Sequence, residues 1–131
     1  MSEALVGLSA ELKQVVTDEM LAVNVGSGSV SVFATPELIL LLEKTAVAAL
    51  EGRLEASATT VGSGLDVTHV AATPAGMEVR GIASVVAVDG RKVTFEVSAY
   101  DEKEKIAEGS HTRFIVDARK FQDRANAKLE S

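Results

Sequence analysis

The longest continuous apolar run lies in the first half of the chain and predicts a helix. Residues 36–50 read PELILLLEKTAVAAL, which is too long and too continuous for a strand and is rich in Leu and Ala. Thr35 suits an N-cap, Pro36 suits the first helical position and Gly52 suits a C-terminal stop. We therefore expect one mostly buried helix here.

Most other apolar segments have the composition of β-strands. Two short ones flank the sequence GSGS and four longer ones are rich in Val, Ile, Thr and Phe, at residues 19–25, 30–33, 64–72, 78–88, 92–100 and 106–116. We expect about five strands from them. Asp89-Gly90 and the charged residues 101–105 are turn signals, so the last three strands should form an antiparallel meander.

Residues 118–129 have helical spacing, with Phe121, Ala125 and Leu129 on one face, and predict a short terminal helix. One early buried helix followed by a long antiparallel sheet is an α+β layout in which the sheet wraps the helix, which is the hotdog arrangement. One sheet covers such a helix on one side only. We therefore expect a dimer or a higher homo-oligomer.

Composition limits the classes of protein that the chain can belong to. Its 131 residues, 47% hydrophobic and 24% charged, predict one domain over residues 1–131. The 19 acidic residues, 13 basic residues and five aromatic residues do not suit a nucleic-acid binder. Zero cysteines exclude disulfides, thiolate nucleophiles and cysteine-ligated metals. No segment resembles a signal peptide or a membrane helix, so the expected location is the cytoplasm.

Glu43 is the most anomalous charge in the predicted helix. Its neighbours at three and four positions are Ile39, Leu40, Ala46 and Val47, so it is a carboxylate on an apolar face. Burying a lone charge costs on the order of several kcal/mol unless the charge is paired. The polar stripe of the helix consists of Glu37, Lys44 and Glu51, which are spaced seven residues apart. Glu43 either lies at the edge of this stripe, or pairs with a basic group at an interface, or has a catalytic role.

Two further polar residues lie in apolar surroundings. Strand alternation places His69 on the side of Leu65 and Val67, where it is either a hydrogen-bonded core histidine or a functional one close to Glu43. Thr35 is either a helix cap or a hydroxyl that binds an acyl carbonyl with the helix N–H groups. For the second histidine, His111, we expect a solvated or hairpin-end position. Neither a metal site nor a dinucleotide fingerprint is indicated.

Several segments resemble the fluoroacetyl-CoA thioesterase group of the hotdog thioesterases. They are VFAT, LLEKTAV, VTHVAATPAGMEV and VDGRKVTFEVSAYDEKEKIAEGSHTRFIV, between Val32 and Phe121. The resemblance implies Thr35, Glu43 and His69 as a catalytic triad, and Gly62 and Arg113 near the acyl site. It also implies a CoA thioester substrate, a homodimer, no metal and no cofactor beyond the CoA of the substrate.

The segment before the helix departs from that group. Its members have an aromatic-bearing lid there, whereas this chain has the aromatic-free NVGSGSVSV at residues 24–32. We therefore expect an open site without strong preference for fluoroacetyl over acetyl groups.

These features predict an acyl-CoA thioesterase in which Glu43 is the base or nucleophile, His69 carries a proton and Thr35 binds the oxyanion. Thr35 and Glu43 are eight residues apart, ~12 Å along a helix. Either the chain folds back at Pro36 or two subunits share the site, and we expect the second. A non-catalytic acyl-CoA-binding module is the alternative, and no motif supports a third activity, the hydration of enoyl thioesters.

Overall fold

The computed structural model describes residues 2–130 and has a five-stranded sheet with one long helix packed against it. The elements are β1 (Ser9–Val15), α1 (Ala22–Val25), α2 (Thr35–Ala49), β2 (Ala58–His69), β3 (Glu78–Asp89), β4 (Lys92–Tyr100), β5 (Lys105–Asp117) and α3 (Ala118–Asn126). Short 3₁₀ helices span Ser2–Leu5, Asp18–Met20 and Ala127–Leu129. The predicted α+β hotdog layout, with its central and C-terminal helices, is confirmed.

All strand pairs in the sheet are antiparallel, in the order β1-β3-β4-β5-β2. The meander of β3, β4 and β5 is as predicted. Gly90, at φ 62°, takes the first of two turn positions between Asp89 and Lys92, where a glycine accommodates the positive φ of a tight hairpin. The strand β2 lies at one edge of the sheet and pairs only with β5 within the described chain.

The helix α2 packs one face on the sheet and leaves the other free. The residues that it buries are Leu38, Leu41, Leu42, Thr45, Ala46 and Ala49. A Cβ built on Gly81 of β3 would lie 3.0 Å from both Leu41 Cγ and Thr45 Oγ1, so this glycine permits the close approach of helix and sheet. On the opposite face, Leu40 and Val47 are 41% and 48% exposed. The helix is therefore covered on one side, as expected.

The predicted start of the helix is wrong by one residue, with a consequence for Thr35. The N-cap is Ala34, whose carbonyl accepts the first helical bond from Leu38 at 3.0 Å, and Thr35 is the first helical residue. Thr35 caps no backbone N–H group. Its side chain is instead engaged elsewhere.

The first strand is not where the sequence predicted it. Residues 19–25 form parts of a 3₁₀ helix and α1, and residues 30–33 contribute only an isolated bridge between Leu21 and Phe33. The strand β1 instead uses the sequence SAELKQV, whose exposed and half-buried positions alternate beside β3. A half-buried edge strand needs few apolar residues, so its sequence carries a weaker signal.

The remaining differences concern element ends. The strand β2 begins at Ala58 rather than residue 64 and has a register shift between Gly62 and Gly64. The terminal helix α3 is capped by Asp117, which accepts from Lys120 N at 2.9 Å. No helix within residues 2–130 has the length and apolar character needed to cross a membrane. Met1 and Ser131, which the expected domain includes, lie outside the described residues.

Candidate active site

Thr35 and His69 form the first of two polar clusters on the free side of α2. Thr35 Oγ1 and His69 Nδ1 are 2.8 Å apart, joining the first residue of α2 to the last residue of β2. His69 Nε2 is buried, and no group in residues 2–130 forms a hydrogen bond with it. One ring nitrogen is therefore anchored and the other is available to a ligand.

Burial lowers the pKa of His69, and a backbone contact with Ala71 opposes only part of that effect. The imidazole is therefore neutral near pH 7 and able to exchange a proton. Beside it is a cavity of about 320 Å³, lined by Ala22, Ser27, residues 32–35 and residues 69–72. The cavity is wide enough for a small acyl group next to the Thr35 hydroxyl.

Glu43 and Arg113 form the second cluster. Glu43 Oε2 lies 3.6 Å from Arg113 Nη1, and the carboxylate side chain is 37% exposed while the guanidinium side chain is only 8% exposed. Glu43 therefore lies at the edge of the apolar face and is paired with a basic group of its own chain. Within one chain, Glu43 therefore does not share a buried apolar environment with His69.

Besides this ion pair, Arg113 forms three hydrogen bonds. Its Nε donates to Thr60 Oγ1 at 2.9 Å, its Nη2 donates to the Thr60 carbonyl at 3.1 Å, and its Nη1 donates to His111 Nε2 at 3.1 Å. Burial lowers the pKa of the Arg113 guanidinium, and the Glu43 carboxylate opposes this shift. The guanidinium fork is thereby fixed in orientation before it meets any ligand.

The position of His111 corrects the expectation of a solvated residue. Its side chain is fully buried and stacks on Phe95, with ring centroids 6.1 Å apart. Nδ1 lies 2.8 Å from the Gly64 carbonyl, which can only accept, so Nδ1 carries the proton and Nε2 accepts from Arg113. Burial lowers the pKa of His111, with a smaller contribution from the Arg113 charge. His111 is therefore a neutral imidazole with one defined tautomer.

Gly62 belongs to the second cluster because its lack of a side chain leaves space for the Glu43 carboxylate. A Cβ at this position would lie 2.8 Å from Glu43 Oε2 and 3.3 Å from both Arg113 Nη1 and His111 Cε1. Any side chain would displace the carboxylate from the guanidinium. The structure therefore brings together Glu43, Gly62 and Arg113, all of which were expected near the reaction centre.

The two clusters do not meet within one chain. Thr35 and Glu43 belong to the single helix α2, eight residues and therefore ~12 Å apart along its axis. The alternative in which the chain folds back at Pro36 is wrong, because Thr35 and Pro36 are both helical. One chain thus supplies a Thr35–His69 pair and, separately, a Glu43–Arg113 pair.

Sequence reasoning missed Thr60 and His111, which hold Arg113. Residues 111 and 113 share a face of β5 by strand alternation, and that spacing is the one available signal. Which face it was could not be deduced, because pairing of β5 with β2 determines it. Within residues 2–130, no group of three or more His, Asp or Glu side chains is placed to hold a metal ion.

Comparison with known proteins agrees with this fold. The fluoroacetyl-CoA-specific thioesterase family matches residues 16–119. The fluoroacetyl-CoA thioesterase of Streptantibioticus cattleyicolor is 36% identical over 97 residues, which are 74% of this chain and 70% of that relative.

Solved structures give the same relationship. A variant of the fluoroacetyl-CoA-specific thioesterase in complex with fluoroacetate and CoA is 31% identical, with a TM-score of 0.83 over 88% of this chain and 98% of that one. A thioesterase superfamily member from Thermus thermophilus is 28% identical, with a TM-score of 0.88 over 95% and 93% of the two chains. The chain belongs to the fluoroacetyl-CoA-specific thioesterase family and is a thioester hydrolase.

Proposed function

We propose that the protein hydrolyses acyl-CoA thioesters at a site shared by two copies of the chain, in which Thr35 and His69 of one copy face Glu43, Gly62 and Arg113 of the other. The observation that carries this proposal is the separation of the two clusters by ~12 Å on one face of a single helix. Each cluster holds half of the groups that thioester hydrolysis needs. A second copy in the reverse orientation supplies the missing half.

Two-fold symmetry brings the Thr35–His69 cluster of one copy opposite the Glu43–Arg113 cluster of the other. A two-fold axis beside residues 39 and 40 of α2 sets Thr35 of one copy opposite Glu43 of the other. Gly62 and His69 pair with Arg113 and Ala107 of β5, and Asp66, opposite Ser110, lies midway between them along the ladder. An axis beside Asp66 likewise sets His69 opposite Gly62. An exposed leucine lies close to the axis on each element: Leu40 on α2 is 41% exposed and Leu65 on β2 is 42% exposed. The same symmetry therefore suits the helix and the free strand edge, and it buries apolar surface at both centres.

The chemistry follows from the groups so assembled. Glu43 takes a proton from a water molecule that attacks the thioester carbonyl, or attacks that carbonyl itself. The Thr35 hydroxyl and the N–H groups at the start of α2 stabilise the oxyanion. When Glu43 is the base, the neutral His69 accepts at Nε2 the proton that Glu43 took from water and delivers it to the CoA sulfur as the C–S bond breaks. When Glu43 is the nucleophile, CoA leaves as the thiolate, water then hydrolyses the acyl–Glu43 anhydride, and His69 passes a proton of that water to the thiolate. Arg113 and Gly62 hold the carboxylate in place. These groups need no metal or cofactor beyond the CoA of the substrate.

Single variants test the assigned roles. Glu43→Gln and His69→Ala should each lower acetyl-CoA hydrolysis by ~10²- to 10⁴-fold, which is the usual contribution of an acid-base group. Free thiol release measures the rate. These losses alone leave open whether the site lies within one chain or between two.

Complementation resolves that point. Heterodimers of His69→Ala with Glu43→Gln, purified through two different tags, contain one intact shared site and should recover about half of the wild-type turnover per dimer. Heterodimers of His69→Ala with Thr35→Ala have both lesions in the same cluster and should recover nothing, which makes them the matched control. Lack of recovery in the first pair, or a mass near 13.7 kDa by light scattering, contradicts the shared site.

We also propose that residues 1–131 form a single domain and that the enzyme acts in the cytoplasm. The single sheet and its helix share one contiguous core, which supports the first statement. A chain with no cysteine needs no oxidising compartment for its stability, which supports the second.

A further inference from the structure

We propose that a cavity bordered by Arg53, Arg91 and Lys120 binds the phosphate groups of the CoA nucleotide. This inference rests on the proposed function, because it assigns the part of the substrate far from the acyl group. The cavity is about 400 Å³ in volume and lies at the end of the sheet where α2 ends and β2 begins. It is separate from the Thr35–His69 and Glu43–Arg113 clusters.

Three separate chain segments bring their cations to this cavity. Arg53 follows α2 after Gly52, whose φ of 75° turns the chain back toward the sheet. Arg91 lies in the β3–β4 turn, where its carbonyl accepts from Ile115 N at 2.8 Å. Lys120 lies in the first turn of α3. Their convergence is notable in a chain whose net charge is -6.

The rest of the lining suits a nucleotide. Leu5, Leu54 and Ile115 provide an apolar floor against which a base or sugar can pack. Two carboxylates, Glu55 and Asp117, also line the cavity, but the second is engaged in capping α3 through Lys120 N. Three cations therefore face two carboxylates, which leaves the cavity with excess positive charge. A ligand with several phosphate groups would neutralise that charge.

The distance to the reaction centre matches the length of the substrate. Arg113 and Asp117 are four residues apart on the same side of β5, so the Glu43–Arg113 cluster and the cavity are ~13 Å apart along the strand. The pantetheine arm of CoA has about 13 bonds between sulfur and phosphorus. At the ~1.2 Å per bond of an extended peptide, the arm spans ~16 Å. A thioester carbonyl at Glu43 thus places the diphosphate at the cavity of the same subunit.

The test compares two substrates that share the arm but differ in the nucleotide. In the variant Arg53→Gln/Arg91→Gln/Lys120→Gln, KM for acetyl-CoA should rise by ~10- to 100-fold, since each exposed charge pair contributes modestly. The ratio of kcat/KM for acetyl-CoA to kcat/KM for acetyl-pantetheine should fall at least about tenfold. The control Lys13→Gln/Arg80→Gln/Lys103→Gln removes equal charge from the far end of the sheet and should keep the wild-type ratio.

The outcomes separate this inference from the proposed function. An equal loss on both substrates, or an unchanged ratio, overturns the phosphate site and leaves the hydrolase intact. Failure of the wild-type enzyme to hydrolyse either substrate instead contradicts the proposed function. Should the triple variant misfold, the salt dependence of KM in the wild-type enzyme tests the phosphate site instead. Raising salt from about 0.05 to about 0.5 M should increase KM for acetyl-CoA several-fold more than KM for acetyl-pantetheine. An equal response overturns the proposal.

Discussion

The Arg113 side chain shows how a buried cation is made usable as a binding group. Thr60 and His111 take three of its hydrogen bonds, so that only the side of the guanidinium facing Glu43 remains open. A protonated His111 could not accept from Arg113 and would place two positive charges side by side. The lowered pKa of His111, caused first by burial, prevents this. His111 is thus a positioning residue for the Glu43–Arg113 pair.

A lowered histidine pKa makes the stability of the fold depend on pH. As pH falls below the ordinary histidine pKa of about 6.5, the unfolded chain binds a proton before folded His111 does. The free energy of unfolding should therefore decrease from about pH 6.5 down toward the lowered pKa. In His111→Gln, whose amide can still accept from Arg113, the urea midpoint should fall less between pH 7.5 and 5.5 than in the wild-type protein.

His69→Gln provides the comparison, because burial lowers the pKa of His69 as well. Its pH dependence should also be reduced, and the double variant should lose more of it than either single variant. A wild-type pH dependence retained in His111→Gln would show that His111 is not the buried neutral group described above.

At the residue scale, the sequence pointed to candidates where one residue departed from its own surroundings. Glu43 and His69 were identified because each is polar within an apolar pattern. Thr35 was ambiguous, since a hydroxyl at the start of a helix suits a cap, and the structure shows instead that Ala34 is the N-cap and that the Thr35 hydroxyl contacts His69 at 2.8 Å. The role of His111 was missed because Arg113, two positions on, makes that strand face look solvated.

At the scale of elements, the edge strand β2 connects the two clusters. It ends in His69, and its register shift beside β5 lies between Gly62 and Gly64, close to Glu43. Irregular pairing of this kind re-aims a strand and its side chains. One strand therefore sets the position of the imidazole at its end and the space for the carboxylate near its middle.

Two nearby glycines permit a matched test of that space. In Gly62→Ala, the new methyl group would lie 2.8 Å from Glu43 Oε2, so the carboxylate must move away from Arg113. We expect kcat for acetyl-CoA to fall by at least about tenfold, because a misplaced acid-base group loses much of its contribution. In Gly64→Ala, the methyl group meets no atom of its own subunit within 4 Å, and kcat should stay within about twofold of wild type.

Light scattering on both variants controls for loss of the proposed dimer. Equal kcat in the two variants, with the same oligomeric state, would show that the Glu43–Arg113 contact does not depend on Gly62. The glycine could be selected from the sequence only through the family resemblance, because the steric reason depends on a helix and two strands that are distant along the chain.

Elements were predictable in proportion to their burial. The helix α2 and the strands β3 to β5 contain strongly apolar patterns and appear within a few residues of their expected bounds. The strand β1 is polar at alternate positions such as Glu11 and Lys13, and its pairing with β3 determines its conformation. Residues 19–25 looked like a strand because short apolar runs suit either conformation.

On the scale of the whole molecule, the free side of α2 and the free edge of β2 together form the surface on which we propose that a second copy packs. Their exposed leucines, Leu40 and Leu65, lie between the two clusters on each element. In the proposed dimer, burying these side chains would contribute to association, and the same contact would assemble the proposed reaction centre. Stability and activity should therefore depend on protein concentration in the same range.

Selectivity for the acyl group also belongs to this scale, because it depends on what closes over the cavity beside His69. Residues 24–32 contain no aromatic residue, and residues 24–31 are exposed. Phe33, the nearest aromatic side chain along the chain, is buried in the core at 1% exposure, so it contributes to the wall of the cavity and does not form a lid over its opening. One apolar contact with the acyl group discriminates between small acyl groups by only ~1 to 3 kcal/mol. Here Gly26, Ser27 and Gly28 provide no aromatic ring for such a contact.

We therefore expect hydrolysis of several acyl-CoAs, including larger ones, without strong preference for fluoroacetyl over acetyl. The measurement is the ratio of kcat/KM for fluoroacetyl-CoA to kcat/KM for acetyl-CoA under identical conditions. Because fluoroacetyl thioesters are intrinsically more reactive, hydroxide-catalysed hydrolysis of both substrates provides the baseline. A preference above roughly a thousandfold over that baseline exceeds what such a contact supplies. It would show that groups other than an aromatic lid over residues 24–32 recognise the fluorine.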